Sequence, residues 1–287
     1  MRLLSPQLQA FLAIVKNKTV HGAAKEIFLT QTAVTQRIRA LENKLGASLF
    51  IRSRRGMLLT SEGEALLRYC TNVIELEGEA IASITKSGSE QTISMCMTGP
   101  TTIMHSRIIP HCINVMKKFP KLLMQFKIVD EETRVKLLTR GESQLAILDT
   151  KSISNEMKFK PLLPQRYIMV ASSQWKQRKL KQIISTERII DFEPEDEMTY
   201  AYLKSFDLLK HITNERHFVN RTDTLASMIA SGLGYGVLPL EYAKPYITSK
   251  KLITLNSGKT YGHAVALAWF PRGPHPKYFS SLIDACN

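Results

Sequence analysis

The chain is poor in the residues that staple a fold or hold a metal. Its four cysteines, Cys70, Cys96, Cys112 and Cys286, lie far apart with no CxxC spacing. That argues against a zinc site or a disulfide framework and leaves buried free thiols as the expectation. The seven histidines form no HExxH pattern, so neither a metal nor any other resident cofactor is expected. No apolar run reaches membrane-spanning length and the first residues lack a signal-peptide pattern, so a soluble, cytoplasmic protein with no membrane partner is expected. Catalytic motifs are missing too: there is no GxSxG and no Walker loop. GLGYG at Gly232 to Gly236 mimics a dinucleotide fingerprint, but a helical pattern precedes it and a strand pattern follows, the reverse of the required order. An enzyme is therefore not expected.

Negative charge is also scarce. There are 25 acidic residues against 39 Lys and Arg, a net +14 over 287 residues. Residues 1–60 hold ten basic side chains and only Glu26 and Glu42, so over half of the excess sits in one fifth of the length. A basic module of this kind favours a polyanion, either nucleic acid or an acidic membrane surface. The length allows two or three compact units.

The basic segment reads as helices. Ser5 and Pro6 start one, with an apolar stripe of Leu8, Phe11, Leu12 and Val15. Thr19 caps a second, short one whose Gly22, Ala23 and Ala24 let another helix approach. A third runs from Thr30, its cap, to Gly46, its left-handed stop, with Val34, Ile38, Leu41 and Leu45 as the apolar stripe. Its other face carries Gln31, Thr32, Thr35, Gln36 and Arg39, amides, hydroxyls and guanidinium groups of the kind that read base edges in a major groove. Two short helices joined by a tight turn form a helix-turn-helix. SLFIRSRRGMLLT then reads as a two-stranded wing, with Arg52, Arg54 and Arg55 at its tip for phosphates. From Thr60 a single helix of about 26 residues follows, capped by Thr60 or Ser61 with a Ser61–Glu64 capping box. Its two seams are Leu66, Tyr69, Val73, Leu76 and Ala80, and Leu67, Cys70, Ile74 and Ile81. Such a length calls for a partner helix and hence a homodimer, the alternative being packing on the chain's own downstream domain. Ser87, Gly88 and Ser89 mark a hinge.

Residues 1–87 resemble the winged helix-turn-helix and linker helix of LysR-type transcriptional regulators, through AAKEIFLTQTAVTQRIRALENKLGASLFIR and LLTSEGEALL. The resemblance implies a DNA-binding regulator in which Gln31, Thr32, Thr35 and Gln36 face the major groove, with Arg37, Arg39, Arg52, Arg54 and Arg55 completing the DNA-binding set. Thr32 stands where proline is usual and Gln36 where arginine is frequent, so base preference stays open. The resemblance also implies further association into a homotetramer, with double-stranded DNA, a small-molecule effector and RNA polymerase as partners.

From Thr92 onward strands and helices alternate: TISMCMT, a helix to about Phe119, LLMQFKIVD, a helix ended by Gly141, and QLAILD. This order implies a parallel sheet with helices on both faces. A similar cycle follows through RYIMVAS, RIIDF, HFVN, TLASMIASG and GVLPL, closed by a strand GHAVALAWF and a last helix. The expected fold class is α+β multidomain: an N-terminal winged helix-turn-helix (1–59), a long linker helix (60–87), and a C-terminal two-lobed α/β effector domain like periplasmic binding proteins. Lobe I takes 91–163 with 264–287, and lobe II takes 164–263, with a cleft between them.

Ligands of such sheets sit beyond the carboxyl ends of strands. That rule selects Thr98, Thr101 and Thr102, then Asp130 and Glu131, then Asp149 and Thr150, and in the second lobe Asn220, Thr222 and Asp223. A ligand carboxylate is expected near Thr101 and Thr102, and an ammonium group at one of Asp130, Glu131 and Asp149; each is open to the plainer reading of a helix cap. TQTAVTQRIRALEN and VDEETRVKLLTRGE resemble the arginine- and lysine-responsive branch of the family, typified by ArgP and LysG, which makes lysine or arginine the candidate effector. The alternative is a sensing or solute-binding protein whose basic N-terminus binds nucleic acid without sequence choice.

Overall fold

The computed structural model describes residues 4–54, 56–84, 92–271, 273 and 275–286. Arg55 and the expected hinge at Ser87 to Ser89 lie outside them. The chain divides into two compact units, one of residues 1–100, 111–160 and 267–285, the other of 101–110, 161–266 and 286–287.

The first unit begins with α1 (Pro6–Asn17), α2 (Val20–Glu26) and α3 (Gln31–Leu45). The Ser5 and Thr19 hydroxyls accept the Leu8 and Gly22 amides at the starts of α1 and α2. Phe11, Ile14, Val34, Ile38, Leu41, Leu49, Leu67 and Cys70 form one buried core. Burial pushes the Cys70 thiol up to about 11, which keeps it protonated and inert at neutral pH. The wing is the antiparallel pair β1 (Phe50–Ser53) and β2 (Gly56–Leu59), in register from Phe50 opposite Leu59 to Ser53 opposite Gly56.

Next comes α4 (Ser61–Ile84), 24 residues long. Thr60 is its cap: the hydroxyl accepts the Gly63 amide at 2.9 Å and donates to the Ser48 carbonyl at 2.7 Å. The expected capping box is not used, because the Glu64 carboxylate accepts from Arg140 Nε at 2.9 Å instead. The two expected seams divide differently as well. Leu67 and Cys70 enter the helical core, while Tyr69, Ile74 and Leu76 are 55%, 41% and 62% exposed. Arg68 turns to the chain's own downstream residues, donating to the Thr139 carbonyl at 2.7 Å and lying 3.6 Å over the Phe270 ring.

The remaining elements are β3 (Ile93–Gly99), α5 (Thr101–Ile103), a π-helical turn Met104–Ile108, α6 (Ile109–Lys118), β4 (Leu122–Ile128), α7 (Glu131–Thr139), β5 (Leu145–Asp149), β6 (Lys158–Pro161), β7 (Gln165–Ser172), α8 (Leu180–Thr186), β8 (Ile189–Asp191), α9 (Met198–Ser205), β9 (Arg216–Phe218), α10 (Thr222–Ala230), β10 (Gly236–Pro239), α11 (Leu240–Thr248), β11 (Leu252–Thr254), β12 (Thr260–His263), β13 (Val265–Trp269) and α12 (Lys277–Ala285). Five strands make one sheet in the order β4-β3-β5-β13-β6, with β3 parallel to both β4 and β5. Leu138, Ala146, Leu148, Met157 and Ala268 pack as a core against it.

The second unit does not repeat that parallel cycle. Its sheet is built on β7, to which β10, β11 and β12 all run antiparallel, and β8 and β9 form a separate parallel pair. The expected single strand GHAVALAWF is two strands, split at Ala264. The burial pattern gives the reason: β12 alternates half-buried and exposed along one side of β7, whereas every residue of β13 is buried. Helices α8 and α11 were not expected; both are short, and α11 carries Pro245 in its interior.

The β8–β9 pair is tied by charge. Asp191, 2% exposed, accepts from Arg216 Nε at 2.7 Å and from the Thr199 hydroxyl. Arg216 also donates to the Pro194 and Asp196 carbonyls, and its guanidinium lies 5.0 Å from the Tyr200 ring centroid and 4.8 Å from that of Phe218. Burial pushes the Asp191 carboxyl up, against the opposing pull of Thr199 and Arg216. Removing one partner of such a pair leaves the other charged and dry, so Asp191→Ala is expected to cost about 3 kcal/mol or more in urea unfolding. A loss below about 1 kcal/mol would mean that water replaces the carboxylate.

Candidate nucleic-acid interface and effector-binding residues

The ends of α3 fix its exposed face. Thr30 Oγ1 accepts the Ala33 amide at 3.1 Å, and Gly46 closes the helix at φ 68 with its amide on the Glu42 carbonyl. Val34, Ile38 and Leu41 are buried, but Leu45, expected in the same stripe, is 49% exposed. The core ends before the last turn, where Glu42 instead accepts the Leu49 amide at 2.8 Å and holds the following segment. Gln31, Thr32, Gln36 and Arg39 are exposed, and Thr35 and Arg37 half-buried. The Thr35 hydroxyl donates to the Gln31 carbonyl at 2.8 Å, so toward a ligand it offers acceptor lone pairs. The Gln31 amide lies 3.1 Å from His21 Nδ1. His21 was not among the expected residues, since a contact between positions ten apart across a turn has no sequence pattern.

The wing is held against the turn between α1 and α2. Met57 donates its amide to the Lys18 carbonyl at 2.8 Å. Gly56 makes this possible: its φ is 106°, and a Cβ there would stand 2.4 Å from that carbonyl oxygen. Arg52 and Arg54 are exposed on the wing. Among the described residues, none of Arg37, Arg39, Arg52 and Arg54 enters an ion pair. Their charge is uncompensated close by, which concentrates positive potential on this module.

The residues expected to bind an effector fall into two groups. In the first unit, Asp130 is the cap of α7, accepting from the Thr133 amide at 2.8 Å and the Thr133 hydroxyl at 2.7 Å. Glu131 accepts the Asp149 amide at 2.9 Å and pairs with the buried Arg134. Asp149 accepts the Lys151 amide at 2.9 Å, and Thr150 is exposed in the turn that follows. The three acids are therefore already engaged within the chain. Thr98 is different. It is fully buried in β3, opposite Lys127 of β4 and Ala146 of β5, and its hydroxyl has no hydrogen-bond partner.

Thr101, Thr102, Asn220, Thr222 and Asp223 belong to the second unit. Thr101 is exposed, Thr102 is buried, and the Thr102 carbonyl accepts the Ser106 hydroxyl at 2.7 Å. Asn220 and Thr222 flank the start of α10. Asp223 is held by Arg221 through two nitrogens at 3.2 and 2.9 Å, which lowers its carboxyl to about 2. A surface depression of about 320 Å³ lies elsewhere, beside Ser94 to Cys96 and Leu123 to Gln125. It sits toward the amino ends of β3 and β4 and meets none of the expected residues.

Comparison with known proteins bears on both halves of the chain. A family model for the bacterial regulatory helix-turn-helix protein, lysR family, matches residues 6–64, and one for the LysR substrate binding domain matches 88–287. The transcriptional regulator LysG of Mycobacterium tuberculosis is 26% identical over 246 residues, 84% of this chain and 80% of its own. Among solved structures, ArgP from Mycobacterium tuberculosis matches with a TM-score of 0.81 at 23% identity, covering 99% of this chain and 96% of its own. Full-length LysG from Corynebacterium glutamicum with bound effector Arg matches at 0.78 and 20% identity, again covering 99% and 96%.

Asp130 allows a check on the cap. Hydrogen bonds from the Thr133 amide and hydroxyl hold its carboxyl below the ordinary range. A lowered value in the folded chain contributes stability above the unfolded value, near about 4, and loses it as pH falls through the folded value. Asp130→Ala should cost about 1 kcal/mol at pH 7, with the difference from wild type shrinking in denaturant melts at pH 3. A pH-independent difference would assign the loss to packing.

Proposed function

The chain belongs to the LysR family of bacterial helix-turn-helix transcriptional regulators, and on that premise we propose that it reads DNA with α3 and the wing under control of a basic amino acid. The reading of DNA is supported by an exposed, uncharged start to α3 beside four arginines that form no ion pair among the described residues. Gln31, Thr32, Thr35, Gln36 and Arg39 take base edges, and Arg37, Arg52, Arg54 and Arg55 take phosphates, which set register and affinity but not sequence. A homodimer is supported by Tyr69 and Leu76, exposed apolar side chains two turns apart on α4. Pairing such helices places two copies of α3 on two half-sites. Assembly into a tetramer, contact with RNA polymerase and a cytoplasmic location accord with this role; no helix among the described residues is long and apolar enough to cross a membrane.

The observation that carries the effector reading is Thr98, whose buried hydroxyl stands unpaired in β3 near the carboxyl end of the sheet. An unsatisfied buried hydroxyl costs about 1–3 kcal/mol, a cost that a hydrogen-bonding ligand removes. Lysine and arginine are the proposed class because the LysG structure named above holds Arg. With Asp130, Glu131 and Asp149 already engaged, the ammonium or guanidinium end must displace an existing contact, and Glu131 is the carboxylate best placed to be shared. Regulation then follows if the effector favours one arrangement of the bound oligomer, which requires unequal affinity for the two states.

Nuclease protection upstream of the protein's own gene, at about 150 mM salt to suppress nonspecific binding, tests both parts. A discrete footprint altered by lysine or arginine is expected, and Thr98→Val should keep the footprint while abolishing its response. A discrete footprint indifferent to both amino acids discards the effector class and keeps the regulator. Diffuse protection favours a sensing protein with nonspecific nucleic-acid binding. Replacing Arg52 and Arg54 together with alanine should lower the slope of log affinity against log salt by about 2; an unchanged slope removes the wing from the phosphate contacts.

A further inference from the structure

Phe28 is a costly residue for which the folded chain shows no return. Helix α2 ends with the Leu29 amide on the Ala24 carbonyl at 2.9 Å and the Phe28 amide on the Lys25 carbonyl at 3.4 Å. These two bonds form the helix-ending motif whose penultimate residue is left-handed and usually glycine. Phe28 adopts that conformation, with φ 55, against the steric preference of an L residue. The residue is 94% exposed, the most of any large apolar residue among the described residues. The turn needs the backbone geometry, because Leu29 beyond it packs on the helical core and Thr30 caps α3. It does not need the ring. Glycine would meet the same geometry without strain and without an apolar surface in water.

The ring's position supplies its use. Phe28 lies two residues before the cap of α3, between exposed Lys25 and the exposed pair Gln31 and Thr32. It therefore borders the surface assigned above to the major groove, within the segment where ten basic side chains stand against two acidic ones. A duplex offers apolar surface in the deoxyribose edges of its backbone and in the thymine methyl groups of its major groove. We propose that Phe28 is a DNA-contacting residue, its ring packing on deoxyribose or thymine methyl surface flanking the bases read by α3. This rests on the reading of α3 as the recognition helix. The contact carries no charge, so it adds affinity that salt does not screen.

Full-length wild type, Phe28→Gly, Phe28→Asn and Phe28→Tyr are titrated with the footprinted duplex by fluorescence anisotropy at several salt concentrations, and each is melted. Glycine and asparagine both tolerate the left-handed conformation, so both variants should melt at or above the wild-type temperature. Both should bind about tenfold more weakly, with an unchanged salt slope because no phosphate contact is lost. Tyrosine, which keeps the ring, should bind within about twofold of wild type. Glycine and asparagine variants that bind as wild type overturn the proposal, and point to a protein surface or another part of the assembly as what covers the ring. A weaker affinity with a shallower salt slope, or with a lower melting temperature, also overturns it by showing that the turn itself has changed. Failure of the wild type to prefer the footprinted duplex refutes the recognition-helix reading instead, and the two failures are thus distinct.

Discussion

Arg68 joins the helical part of the first unit to its sheet. Its guanidinium caps the carbonyl end of α7 at Thr139, covers the Phe270 ring and reaches Glu156 at 3.4 Å. A planar group with five donors can do all three at once, which a lysine ammonium cannot. One turn earlier Glu64 accepts from Arg140, so two charges of opposite sign on α4 meet two groups at the end of α7. The position of α4 is thereby fixed on one side by apolar burial of Leu67 and Cys70, and on the other by directional bonds. The rest of α4's apolar surface is left over after these demands, which is why Tyr69 and Leu76 stand open.

How much of this could be read in the amino-acid order varies with the range of the interaction. The three helices, their caps at Ser5, Thr19 and Thr30, the stop at Gly46 and the pairing of two strands into a wing all depend on residues within a few positions of one another. They were legible. Glu64 was misjudged because a local partner, the Ser61 region, and a distant one, Arg140, compete for the same carboxylate. The distant one wins because α4 lies against α7. The antiparallel sheet around β7 was missed for a related reason. Short strands such as Leu252–Thr254 and Arg216–Phe218 carry too few residues to show a period, and their direction is set by what they pair with.

The residues expected to bind DNA or an effector divide along the same line. A polar face opposite an apolar stripe is a local property, so the exposed residues of α3 could be named in advance. Acidic residues after strands are ambiguous, because the carboxylate that would hold an ammonium group is also the best helix cap. Asp130 has taken the second role, and Asp223 has been taken by Arg221. Thr98 follows from the strand-end rule, yet its distinguishing property, an unpaired buried hydroxyl, exists only once β4 and β5 enclose it. Phe28 was not singled out at all: an apolar residue near a helical core is ordinarily part of that core, and only its backbone conformation turns it outward.

The strand order of the five-stranded sheet also sets a timetable for synthesis. β5 is complete at Asp149, but its neighbour β13 begins at Val265. A ribosome must therefore add more than a hundred residues before the gap between β5 and β6 can close, while the helical module of residues 4–70 has everything it needs far earlier. In that interval β5 exposes one unpaired edge and the apolar side chains that β13 will cover, the condition under which nascent chains recruit holding chaperones or associate with one another. The module that carries α3 would be competent to meet polyanions before the domain that governs it is finished. Pairing β13 with β5 closes a loop of more than a hundred residues, a long-range contact of the kind that forms late in folding.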